Sequence, residues 1–191
     1  MTTICHLLKG KKLMKKIFAI LALATGTAFA ADSFTVEGQH INNNQAAAQQ
    51  QYVLGVKKEF TGFAADLAFS NAQTEGTNAL STRLEAGATV NGPVGLYARA
   101  AIGQKYSNTT DFTYYSVEPG IAAPIGYGLT AKVGYRFRSA FDSTQNNDQT
   151  HTVRYSLGYA LSKDDTVAIK YDRVNGDNNQ KIVAVAYTRG F

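Results

Sequence analysis

Apolar and polar side chains alternate with a period of two along most of the chain beyond Ala31. No stretch there shows the sustained 3.6-residue repeat of an amphipathic helix or the run of about 18 apolar residues that a spanning helix needs. Residues 128–138 set Leu129, Ala131, Val133, Tyr135 and Phe137 against Thr130, Lys132, Gly134, Arg136 and Arg138. Residues 152–162 set Val153, Tyr155, Leu157, Tyr159 and Leu161 against Arg154, Ser156, Gly158 and Ala160. The same two-faced pattern runs through 52–59, 63–70, 80–90, 94–105, 113–122, 166–173 and 181–191, and more weakly through 33–40. It predicts ten strands, or eight if 33–40 and one neighbour are irregular.

Polar stretches at 41–51, 71–79, 106–112, 141–151 and 174–180 separate these segments. Short turns rich in Gly, Pro, Asn and Asp lie between them, at 60–62, 91–93, 124–127 and 162–165. These residue types supply positive or fixed φ and side-chain bonds to the backbone, which is what tight turns require. Long and short connectors alternate strictly. All the long ones therefore fall at one end of the sheet, with both termini at the other. The expected fold is all-β, an up-and-down antiparallel barrel whose closure removes exposed edges.

Alternation alone does not say which face is inside. A soluble periplasmic binding barrel turns its apolar face inward, whereas a transmembrane barrel turns it toward lipid. Segments of about 9–11 residues suit a tilted membrane strand, and short turns opposite longer loops are the pattern of outer-membrane barrels. Aromatic residues near the segment ends (Phe34, Phe63, Phe69, Tyr115, Phe137 and Tyr159) fit an interfacial girdle. Gly55, Gly87, Gly95, Gly103, Gly120, Gly134 and Gly158 fall on the polar face. Glycine weakens a solvent-facing strand, but inside a narrow barrel it makes room for large side chains opposite. The transmembrane orientation follows.

Charge and composition sharpen this reading. The first 30 residues hold five lysines and no acid, so the formal charge of +5 belongs to them, and the rest carries 14 basic residues against 14 acidic ones. A neutral body argues against nucleic-acid binding, which needs surplus Lys and Arg. Residues 14–30 read MKKIFAILALATGTAFA: a basic start, a short apolar core and an Ala28-Phe29-Ala30 cleavage pattern. This is the pattern of a signal peptide. The expected organisation is a leader over 1–30, with Met14 as the true start and 1–13 as an upstream extension, followed by a barrel over 31–191. Cys5, Met1 and Met14 all lie in the leader, so the body has no thiol for a disulfide, a nucleophile or a metal site.

The chain ends in Phe191, after a segment that alternates Val183, Val185 and Tyr187 with Ala184, Ala186 and Thr188. A signal peptide, two-residue alternation and a C-terminal Phe resemble the Gram-negative outer-membrane β-barrel proteins, in particular small porin-like ones. The resemblance implies an outer-membrane location and assigns Val183, Val185, Tyr187 and Phe191 to an assembly signal. The partners it implies are the barrel-assembly machinery, membrane lipid and lipopolysaccharide, with a monomeric barrel. Arg189 departs from the family pattern, which has an apolar or aromatic residue at that place.

With the polar face inward, the lumen receives Lys57, Arg83, Arg99, Lys132, Arg136, Arg138, Arg154 and Lys170, together with Glu37, Glu59, Asp66, Glu85, Glu118 and Asp172. Two readings follow. A barrel this small is close to filled by its own side chains, which favours a passive structural barrel with a salt-bridged interior. Alternatively, Lys132, Arg136, Arg138 and Arg154 form a basic wall without inward acids between them, opposite acids on earlier strands. That is how a narrow channel prefers anions. An enzymatic alternative, a lipid-modifying or proteolytic barrel, would rest on His40 or His151 at the loop end, with Asp142, Ser143, Asp148 and Thr150 near His151 in sequence. No recognised hydrolase motif surrounds either histidine. Asp/Asn-rich stretches at 142–148 and 174–179 lack the spacing of a calcium loop, so neither metal nor organic cofactor is expected.

Overall fold

In the computed structural model of the protein, the described residues are 32–43, 47–77, 79–108, 110–142, 148–177 and 179–191. The leader over 1–30 lies outside them. The ten strands are β1 (Ser33–Asn43), β2 (Gln49–Phe60), β3 (Phe63–Thr74), β4 (Leu80–Asn91), β5 (Leu96–Ser107), β6 (Phe112–Gly126), β7 (Leu129–Ala140), β8 (Thr150–Ala160), β9 (Asp165–Gly176) and β10 (Gln180–Gly190). Each pairs antiparallel with its sequence neighbours, and β1 pairs with β10 to close the barrel. The weakly patterned first segment is a full strand, because it has a partner on each side: Thr35 faces Thr188 and Gly55. An eight-strand barrel is thereby excluded.

Side-chain orientation follows the membrane pattern. Val133, Tyr155 and Leu157 point outward and are 43%, 47% and 45% exposed, while Glu37, Glu118 and Asp172 are buried in the lumen. An aqueous surface of this composition would bury the opposite set. The exterior is a continuous apolar belt, with Ile102 and Ile169 among its most exposed members. At this strand number, with strands about 4.8 Å apart and tilted by about 40°, opposing backbones stand roughly 20 Å apart. Long side chains from facing walls can therefore meet.

Glycine on the inner face is what admits the large residues. A Cβ at Gly103 would fall on the Tyr114 ring, and one at Gly134 would meet the Tyr97 hydroxyl. Gly95 departs from the expected inner-face set: it lies in a single 3₁₀ turn, Pro93–Gly95, with φ +78°. Gly103→Val is expected to destabilise the barrel by about 1–3 kcal/mol through overpacking. The Gly103→Val/Tyr114→Ala pair should cost less than the two changes summed, as read by urea unfolding of the refolded protein.

The connectors differ from the strict long–short alternation expected from sequence. Strands β2, β3 and β9 run on into the polar stretches, so the connection at 177–179 is no longer than the turn at 92–95. Backbone pairing continues past the apolar belt because polar side chains satisfy a ladder in water as well as apolar ones do in lipid. At the opposite end, Tyr127 and Gly128 both adopt positive φ, as a two-residue hairpin turn requires. Asp32 accepts bonds from Lys58 Nζ (2.8 Å) and the Glu59 amide (2.6 Å), tying the start of β1 to β2. The Lys58 ammonium and that amide hold the Asp32 carboxyl below its ordinary pKa. Arg189 points outward at this same rim, its Nη1 lying 3.5 Å from Asp165, where its head reaches polar surroundings while its stem lies along the barrel.

Candidate functional site: the ionic lumen and its outer vestibule

Every inward charge of the sequence reading faces the lumen, but three of the four residues of the basic wall are not free of acids. Arg136 Nη2 lies 2.6 Å from Glu85, and Arg138 Nη2 lies 2.6 Å from Asp148. Arg154 donates to Glu118 (2.8 Å) and to Asp172 (3.1 Å). A guanidinium on a long stem reaches carboxylates on β4, β6 and β9, a connection that strand-by-strand inspection does not reveal. Lys132 stands apart in the half nearer the short turns. Its charged neighbours are Lys57, Lys170 and Glu118, and it makes no ion pair among the described residues.

These pairs join into a network across the middle of the barrel. Arg99 grips Asp66 through two nitrogens, with Nε at 3.0 Å, and extends Nη1 to Glu85 at 2.8 Å. Glu85 also accepts from the Tyr114 hydroxyl at 3.0 Å, and Glu118 accepts from the Tyr97 hydroxyl at 3.1 Å. Lys170 reaches Glu37, and Lys57 pairs with Glu59 nearer the short-turn end. Bidentate and charge-assisted bonds of this kind are the strong ones, and each carboxylate in the network has at least one cationic partner.

Above the network, toward the longer connectors, the lumen opens into a polar cavity of about 210 Å³. Arg83, Lys105, Arg136, Arg138 and Arg154 line it with Asp172, and Gln39, Gln51, Thr150 and Thr152 supply neutral polar groups. Sequence reading missed two members of this region. Lys105 shares the inward parity of Arg99 and Gly103, a signal that was present but fell at a predicted strand end. Asp148 sits in a connector, where periodicity says nothing about direction.

His40 and His151 both lie on the outer face. His40 Nδ1 is 2.9 Å from Gln50 Nε2, and His151 Nδ1 is 2.7 Å from the Tyr135 hydroxyl. Asp148 is bonded to Arg138, and Thr150 is buried with the lumen-facing residues. Ser143, and most of the Asp/Asn-rich stretch around it, lies outside the described residues. Among the described residues no three His, Cys, Asp or Glu side chains gather as metal ligands.

A closed, ten-stranded antiparallel barrel with an apolar exterior and an ionic lumen defines the fold class: an up-and-down β-barrel of the transmembrane type. A solved structure shares this fold at low sequence identity. The chain is similar to the NanC porin (TM-score 0.55, 10% identity, covering 83% of this chain and 100% of that one). It is also similar to the KdgM porin in complex with disordered oligogalacturonate (0.49, 10%, 82% and 99%). A third is the translocator domain of the autotransporter NalP from Neisseria meningitidis (0.49, 9%, 83% and 86%). No protein-family profile matches the sequence, and no curated relative does.

Proposed function

We propose that this is a non-enzymatic outer-membrane porin-like protein whose narrow lumen prefers small anions. The carrying observation is the vestibule, where Arg83 and Lys105 line the cavity with no ion-pair partner among the described residues, beside the paired Arg136, Arg138 and Arg154. In a lumen walled from bulk water, such unpaired positive charge concentrates anions and repels cations. The network of Arg99, Glu85, Arg136, Glu118 and Arg154 narrows the path beneath, so conductance should be small. Export through the 14–30 leader, assembly read from Val183, Val185, Tyr187 and Phe191, and contact with lipopolysaccharide at the outer rim belong to the same reading, with the barrel as a monomer.

Planar bilayers test it. Purified protein should give small discrete steps, with a reversal potential of anionic sign under a salt gradient. Arg83→Glu with Lys105→Glu should move that potential toward cations. Cation preference in the unaltered protein overturns the proposal. Silence from a correctly folded barrel favours the second reading, a passive structural barrel, for which the cross-lumen ionic network is the supporting observation.

A further inference from the structure

Most of the vestibule's positive charge is already neutralised. Glu85 and Asp148 neutralise Arg136 and Arg138, and Arg154 has Glu118 and Asp172. Two cations have no ion-pair partner, although the second carboxylate on Arg154 brings the net surplus of the cluster to one charge. Arg83 and Lys105 line the cavity and make no ion pair among the described residues, and Lys105 Nζ rests 5.1 Å from the centre of the Phe112 ring. The segments 44–46, 78, 109, 143–147 and 178 contain no carboxylate that would serve as a further partner. The Nε–H groups of Arg136 and Arg138 are buried and have no acceptor among the described residues, where Asp148 Oδ2 likewise has no donor. Buried donors of this kind cost free energy unless something accepts from them.

The geometry points to a binding site for one compact dianionic oxyanion of the phosphate type, held between Arg83 and Lys105 with Arg136 and Arg138 as further donors. It rests on the same vestibule as the proposed anion preference. Arg83 and Lys105, the two cations without an ion pair, offer direct partners for the roughly −1.5 to −2 carried by a phosphate monoester near pH 7, and its three acceptor oxygens suit several guanidinium donors. A monovalent anion such as chloride would leave one of the two without a direct partner and, having no directional acceptor array, would not use the fork of an arginine. The cavity of about 210 Å³ exceeds one phosphate group, and Gln51 and Thr152 in its lining suit hydroxyls on an attached polyol.

The test is equilibrium binding of inorganic phosphate to the detergent-refolded barrel in excess chloride, with glycerol phosphate as a competitor. Saturable uptake of one phosphate per chain is expected. Tighter competition by glycerol phosphate would identify an ester as the preferred source, and equal or weaker competition would identify free phosphate. Arg83→Gln with Lys105→Gln should weaken binding by roughly 10- to 100-fold, given the strength of charge-assisted bonds. Lys181→Gln, on the outer face of β10, should leave it unchanged. Absence of saturable binding to the unaltered protein overturns the site, as does an equal loss in the Lys181 variant. Phosphate binding by a barrel silent in bilayers would sink conduction and leave the site standing. An anion-selective channel without saturable phosphate would do the reverse.

Discussion

Glu85→Ala is expected to destabilise the folded barrel by about 3 kcal/mol, the lower end for removing one partner of a buried ion pair. Glu85 holds Arg99, Arg136 and the Tyr114 hydroxyl together. Arg99 would keep Asp66, but Arg136 would lose the one carboxylate within ion-pair distance among the described residues. The lower end applies because Arg136 borders the vestibule and retains some access to water. Urea unfolding in detergent, followed by the gel mobility of the folded form, measures the change. Glu85→Leu with Arg136→Met should recover much of the loss, since replacing both partners removes the uncompensated charge. A single variant as stable as the parent would show that the network is not what holds the lumen.

Ile102→Arg addresses orientation and should cost about 2–4 kcal/mol, as for a cation on the lipid face near the bilayer midplane. Ile102 lies midway along β5, points away from the lumen and is 58% exposed. Folding efficiency into lipid vesicles, with urea titration of the product, gives the readout. On a water-facing surface the same substitution would stay within about 0.5 kcal/mol. A change that small would mean that the exterior does not face acyl chains.

Much of the barrel was legible from period two alone. Leu129 to Arg138 and Val153 to Leu161 reveal which residues share a face, because strand geometry alternates side chains without exception in an unbulged stretch. The inward set from Glu37 to Asp172 follows from that parity. Where parity ends, legibility ends. The polar segment 71–74 reads as a connector yet extends β3, and Asp148 enters the lumen mouth from a segment with no period.

The amino-acid sequence by itself determined which residues of a strand share a face, because that depends on residues two positions apart, and the neutrality of the body, which is a sum over residues; ten strands rather than eight was decided by the pairing of β1 with β10 and β2. Only the tertiary structure decided which charges cancel. Glu85 and Arg136 are 51 positions apart, and closure of the ring brings them within 2.6 Å. The same closure leaves Arg83 and Lys105 in the vestibule without an ion-pair partner among the described residues. A lateral pattern records direction from the sheet, whereas pairing across a lumen depends on radius, stagger and side-chain reach, which no local spacing encodes.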